Sequence, residues 1–200
     1  MKMTKMLRES GALINWFDDS IHGVEIKSDI RSQLAMGCLE VALEHQKAIV
    51  LLISHSLYGS AFALLRLLFE AYVRGVWLHR CATDADLERF KRDKLGKSIA
   101  SLTQDIEKLD GYDGGVFSKV KDKSWNPMNS YTHSGYLQIC RRIKGTTIEP
   151  NYVEDEIVEV LNFTNAIGLL SALQIAFLSG SEQLPYSILK KTETFNQTEL

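Results

Sequence analysis

Arg66, Glu70 and Arg74 stand four residues apart within an otherwise apolar stretch, Tyr58 to Leu78. On a helix of 3.6 residues per turn, each step of four advances only about 40°, so the three share one ridge. Their apolar neighbours argue against a purely solvated face, and buried charges persist only when paired and hydrogen-bonded. Two readings follow. One is a salt-bridge ladder that fixes helix register. The other is a polar pocket inside a helical bundle, where the guanidinium groups bind an anion and the carboxylate orients it.

A second group is the run Asn129-Ser130-Tyr131-Thr132-His133-Ser134-Gly135. On a helix that starts at Pro127, Asn129 and His133 share a face, Ser130 lies one position around, and Tyr136 and Cys140 follow on the His133 side. A histidine beside an amide and hydroxyls suits general acid–base catalysis near neutral pH. The alternative is a histidine whose hydrogen bonds are satisfied within a helix interface. The two groups form one interior site only if His133 faces the ridge, with Arg66 or Arg74 opposite it.

Other chemistries find less support. There is no Gly-rich phosphate loop, GxSxG or Walker string. Glu154, Asp155, Glu156 and Glu159 invite a metal reading, but acidic residues in the first turns of a helix already favour its dipole. The Glu-x-x-His string of carboxylate-bridged metal bundles does not occur. No metal and no cofactor are expected. Cys38, Cys81 and Cys140 are widely spaced, without CxxC, and read as buried reduced thiols.

The string Arg74-Gly75-Val76-Trp77-Leu78-His79 resembles the Arg-x4–6-His motif of the HEPN superfamily of helical ribonucleases and nucleotide-binding proteins. In that superfamily the motif forms a composite site across a dimer. Here Gly75 stands where HEPN ribonucleases favour a polar residue, and the string lies late in an apolar helix. His133 has Asn126, Pro127 and Met128 where the motif would put its arginine. An all-α bundle of this size with polar residues inside also resembles the HEPN-like domains of bacterial abortive-infection and toxin systems. More narrowly, Ala63 to Leu78 together with Asn129 to Gly135 is similar to an uncharacterised family of bacterial proteins. The resemblance implies a homodimer and metal-independent RNA cleavage, with a histidine (His133 or His79) activating the ribose 2′-hydroxyl and an arginine stabilising the phosphorane. Arg89, Lys91, Arg92 and Lys94, with Lys97 and then Lys119, Lys121 and Lys123, would track an RNA backbone. The alternative for these is a solvated face interleaved with Glu88, Asp93 and Asp105.

The elements that must position these residues are helical. At 200 residues, with 45% hydrophobic and 24% charged, the chain is long and apolar enough for one domain, expected over residues 1–190. Only 3 prolines interrupt it. A first amphipathic helix is expected over about Thr4 to Ile21, ended by Gly23, and a second over about Ser28 to Ser54. A tight connection at Ser54–Ser60 leads to a third helix reaching Arg80, apolar on nearly every face and so central to the bundle. Thr83 with Asp86 resembles a capping box opening a helix to about Leu109. One or two turns follow at Val116–Lys123. Asn126-Pro127 reads as a helix start carrying Met128 to about Ile143. Gly145-Thr146-Thr147 is a loop, Asn151 caps a long apolar helix closed by Gly180, and residues 191–200 read as a frayed polar tail. The expectation is an all-α bundle of about six helices, with no strand pattern.

A formal net charge of −2 advertises no polyanionic partner, so any nucleic-acid surface must be local. A module that binds a protein partner or a small anion stays open as the other reading. The basic start MKMTKMLRES lacks a following apolar segment, and Arg66, Glu70 and Arg74 make a membrane span through Tyr58–Leu78 costly. A cytoplasmic chain without membrane contact is therefore expected.

Overall fold

The computed structural model describes residues 2–197 and is an all-α helical bundle. Its elements are α1 (Lys2–Ile21), α2 (Ile30–Ser54), α3 (Tyr58–Arg80), α4 (Asp84–Phe90), α5 (Ile99–Ile106), α6 (Val116–Thr132), α7 (Tyr136–Cys140), β1 (Ile143–Lys144), β2 (Thr147–Ile148), α8 (Glu154–Ser179) and α9 (Gln183–Gln197).

α3 packs against α2, α5, α6 and α8. Its side chains Phe62, Leu68, Phe69, Tyr72, Val73, Val76 and Trp77 are all buried. Residues apolar on every side can be satisfied only by neighbours on every side, which puts this helix at the centre. α8 is the second core helix. It has the length and apolarity of a membrane span, but 67% of its apolar window is buried inside the bundle. A smaller cluster, including Leu13, Phe17, Leu169 and Ile188, ties α1, α8 and α9 together.

Gly75 sets how closely α2 and α3 approach. A Cβ at this position would lie 2.7 Å from Leu39 Cγ and 3.2 Å from the carbonyl oxygen of Ala35. Only glycine leaves room for that contact.

Several boundaries differ from the expected ones. The Thr83–Asp86 capping box is present, with both backbone amides accepted. The single helix expected to Leu109 is two, however, because Asp93 (φ 54°) and Gly96 (φ 67°) turn the chain through left-handed backbone. Ser98 then caps α5 by accepting from the Ser101 amide. Asn126-Pro127 does not start a helix: Pro127 lies inside α6. Its missing N–H leaves the Lys123 carbonyl without a helical donor, and both residues are exposed.

The helix expected to reach Ile143 stops at Thr132. Ser134 adopts φ 51°, and the Gly135 amide donates to the carbonyl of Ser130 at 2.6 Å. Tyr136 and Cys140 therefore lie on α7, off the face they were expected to share with His133. Gly145 and Thr146 of the expected loop join two short antiparallel strands, Ile143 opposite Ile148, and Thr147 already belongs to β2. α8 starts at Glu154, three residues after the expected cap at Asn151.

The polar C-terminal segment is helical to Gln197, not frayed. Ile188 is fully buried and Lys191 lies over the Trp16 ring at 5.4 Å, which anchors α9 on α1. Residues 198–200, also assigned to the tail, lie outside the described residues.

Candidate functional site

The ridge on α3 meets α6 through Arg66. Glu70 sits in the middle with its side chain 10% exposed. One carboxylate oxygen accepts from Arg66 Nε at 2.7 Å, and the other pairs with Arg74 Nη2 at 2.9 Å. The ladder exists, and it does not consume the arginines. Arg66 Nη1 also donates to Asn129 Oδ1 at 2.5 Å and lies 3.0 Å from His133 Nε2, 67 residues away in sequence. The face of its guanidinium rests on the Trp125 ring, 4.6 Å from the centroid. Arg66 is thus held in its plane by three partners and across its plane by a fourth, so little rotamer freedom remains.

α6 supplies its half of the site because Trp125, Asn129 and His133 recur every four residues on one flank. Thr132 Oγ1 donates to the Ala63 carbonyl at 3.1 Å and fixes the end of α6 onto α3. His133 is the C-cap, and its amide donates to the carbonyl of Asn129 at 3.1 Å. Its backbone is therefore fixed while its ring is exposed.

The chemical state of His133 follows from its partner. A guanidinium has only donors and does not lose its proton in proteins. In a hydrogen bond across the 3.0 Å contact Nε2 can only be the acceptor, and the tautomer that fits this geometry carries its proton on Nδ1. Both Nη1 hydrogens of Arg66 are engaged. Among the described residues, no hydrogen bond or ion pair uses Arg66 Nη2 or Arg74 Nε and Nη1. Arg66 and Arg74 side chains are 22% and 37% exposed, so these donors face a half-open site. Two guanidinium groups around one carboxylate carry a local charge of +1 beside the His133 imidazole. Such a group is suited to an oxyanion.

The other candidate residues lie elsewhere. Arg74 and His79 are five positions apart, which turns them about 140° from one another around α3. His79 faces Arg80, Lys27, Arg31 and Asp29, and burial is the main force holding its pKa below the ordinary histidine value. Its Nδ1 is buried without a hydrogen bond. The Arg-x4-His string therefore does not converge, and Gly75 within it serves helix packing.

Of the basic residues, Arg89 is 4.0 Å from Asp86 and Lys91 pairs with Glu88 at 2.8 Å; Arg92 and Lys94 are exposed. All four follow the C-terminal end of α3, about 20 Å along the helix axis from Arg66 at 1.5 Å per residue. Three of the four acidic residues on α8 are engaged in structural contacts, Asp155 with Lys2, Glu156 with Arg141, and Glu154 with the Met3 amide, while Glu159 is exposed at the edge of a cavity beside α6. Cys38, on α2 near enough to Arg74 to feel its charge, has a thiol pushed up to about 11 by burial, so it stays protonated.

Two cavities lie outside this group. One of about 330 Å³ occupies the other flank of α6, between Phe62, Met128, Tyr131 and Phe163, with the Arg141–Glu156 pair at its edge. One of about 430 Å³ lies between α1 and α2, near Phe17, Met36 and Leu43. Neither contains Arg66, Glu70 or His133.

Trp125 was missed by sequence reasoning. The available signal was the Trp125-Asn129-His133 spacing, hidden when Asn126-Pro127 is read as the beginning of a helix.

The chain belongs to a family of unknown function, DUF6988, whose model matches residues 39–198. That span includes the whole Arg66–His133 group and leaves out α1. No curated protein and no solved structure matches the chain at a significant level.

Proposed function

We propose that the Arg66–Glu70–Arg74 ridge, with Asn129 and His133, is a phosphate-recognition site for RNA or a nucleotide, and that the chain is a HEPN-like effector able to cleave RNA without a metal. The observation that carries this reading is the contact between Arg66 Nη1 and His133 Nε2. It joins a fixed cation and an imidazole at one half-open point. Paired Asp/Glu–Arg ladders are common as structure; a ladder with an exposed histidine on its arginine is suited to acid–base work on an anion.

In the cleavage step, a phosphodiester oxygen takes hydrogen bonds from the Nη edge of Arg66 and from Arg74. The ribose 2′-hydroxyl gives its proton to His133 Nε2 as its oxygen forms a bond to phosphorus. The phosphorus–5′-oxygen bond breaks, and the imidazolium returns the proton to the leaving 5′-oxygen. The products are a 2′,3′-cyclic phosphate and a 5′-hydroxyl. The arginines stabilise the charge that builds on the phosphorane oxygens. RNA longer than a few nucleotides would reach the basic residues after α3, Arg89 to Lys94. By resemblance the protein acts in the cytoplasm as a homodimer in bacterial defence or a toxin–antitoxin pair; light scattering checks the dimer.

Purified protein incubated with total RNA in excess EDTA tests the reading. Cleavage with 5′-hydroxyl ends is expected, falling about 10²-fold or more in His133→Ala and Arg66→Ala. Intact RNA at high protein concentration overturns the nuclease reading. A second reading, a non-enzymatic module for a small anion or protein partner, is favoured by the Glu70 ladder itself. It predicts phosphate binding with no RNA loss.

A further inference from the structure

We propose that Arg66 caps the proton-accepting nitrogen of His133 in the arrangement seen here, and that an oxyanion arriving at Arg66 takes over this hydrogen bond and frees the base. The site would then become basic only when loaded. The proposal rests on the phosphate-recognition reading and adds to it the order in which the groups act.

Three observations carry it. First, Nε2 is the only basic nitrogen of a neutral imidazole protonated at Nδ1, and it is the atom that Arg66 occupies at 3.0 Å. While that bond persists, the lone pair is not available to a hydroxyl. Second, Nη1 gives one hydrogen to Asn129 Oδ1 at 2.5 Å and has the other toward His133 Nε2, so an anion seated at this edge competes with the ring nitrogen for that second hydrogen. A charged oxygen is a stronger acceptor than a neutral ring nitrogen, and the exchange therefore runs toward the anion. Third, the guanidinium has an anchor that the exchange leaves intact. Nε stays on Glu70 at 2.7 Å and the plane stays on Trp125, so the Nη edge changes partners without loss of the side chain. The backbone of His133 is likewise pinned by its amide bond to the Asn129 carbonyl. Only the exposed ring has to turn. Asn129 then holds a distinct role: it keeps Arg66 near α6 while His133 leaves, which makes it a positioning residue.

The discriminating measurement is the side-chain ¹⁵N spectrum of His133 at a pH where the imidazole is neutral, with inorganic phosphate as the probe. Without phosphate, the Nδ1–H tautomer with a hydrogen-bonded Nε2 is expected. At saturating phosphate, Nε2 should move toward the position of an unbonded ring nitrogen. In Arg66→Gln it should sit there already and no longer respond. Acylation of His133 by diethyl pyrocarbonate, which needs the free lone pair, should be about tenfold or more faster in Arg66→Gln, the factor that one charge-assisted hydrogen bond holds back.

Phosphate binding that shifts backbone amides around Arg66 and Arg74 but leaves the His133 ring unchanged overturns the capping proposal and leaves the recognition reading standing. An Nε2–H tautomer in the absence of phosphate does the same. Absence of any phosphate binding overturns both. Because Arg66→Gln removes a partner of the buried Glu70, the phosphate titration of the unaltered chain decides the matter if that variant fails to fold.

Discussion

Arg66 reaches His133 from a helix 67 residues earlier, with Nη1 3.0 Å from Nε2, while the histidine ring stays exposed. An exposed ring buries little area, so this contact adds little to folding. His133→Ala should shift stability by no more than about 0.5 kcal/mol, the ordinary range for a surface change, while RNA cleavage is lost. Thermal melting and an RNA degradation assay on the same preparation read both effects. A large drop in melting temperature would show that the histidine is mainly a structural cap.

Glu70 behaves in the opposite way. Its carboxylate is nearly buried and is the shared partner of two arginines. Glu70→Ala leaves both cations without a partner. They are partly exposed and can turn to water, so the cost is expected below that of a fully buried pair, about 2 kcal/mol. Arg74→Ala removes only the outer, more exposed rung and should cost less. Chemical denaturation of the two variants gives the order; equal costs would mean that Arg74 contributes as much as the inner pair.

What could be read in the sequence, and what could not, has a physical reason in each case. The ridge was legible because charges inside an apolar helix at four-residue spacing have few places to go. His133 and Asn129 were legible as a polar patch in a helix that should be apolar. That the two patches meet depends on how α6 lies across α3, which no local spacing encodes. Trp125 was hidden by Pro127. A proline after asparagine is a strong local start signal, and here packing of Phe117, Met128 and Tyr131 carries the helix through it. The position of Gly75 was visible, but its reason, the approach of Leu39, is tertiary. The break between α4 and α5 turns on two left-handed residues, Asp93, which is not a glycine, and Gly96, and an isolated glycine inside a helical pattern does not by itself mark a break.

Pro127 offers a test of that account. It sits inside α6, exposed, with no helical donor for the Lys123 carbonyl. Pro127→Ala restores the hydrogen bond and removes the ring from the preceding turn. Proline in a helix interior costs about 3 kcal/mol relative to alanine, less where the helix has adjusted around it, so a gain of about 1–2 kcal/mol is expected. Denaturant titration measures it. A loss of stability would show that the proline ring is needed where it borders the cavity beside Met128 and Tyr131.

Gly75→Ala tests the α2–α3 contact. The added methyl meets Leu39 at 2.7 Å and the Ala35 backbone at 3.2 Å. Leu39 is fully buried and cannot swing away, so the helices must separate. Overpacking of this kind costs about 1–3 kcal/mol, against which the better helix propensity of alanine returns less than about 1. A net loss on denaturation is expected. Unchanged stability would mean that α2 slides at little cost.

Asp105 should govern acid sensitivity. Lys97 Nζ donates to it at 2.9 Å, Trp77 Nε1 at 3.1 Å and Lys108 Nζ at 3.2 Å. Chiefly through the Lys97 bond, its carboxyl is held at about 2, against 3.8 for an unperturbed aspartate. A carboxyl whose folded pKa lies below its unfolded value stabilises the protein above the unfolded value, and that stabilisation is lost as pH falls through the folded one. The window therefore runs from about pH 4 down to about 2. The shift corresponds to no more than about 2 kcal/mol, reduced by solvent at a side chain that is partly open. Asp105→Asn should lower stability by about 1–2 kcal/mol at neutral pH. Between pH 4 and 2 it should flatten the decline, because the variant has no proton to take up there. Urea denaturation of both proteins across that range gives the two slopes. Parallel slopes would mean that other carboxylates carry the acid transition and that the Trp77–Asp105–Lys97 contact is only a surface clasp on α5.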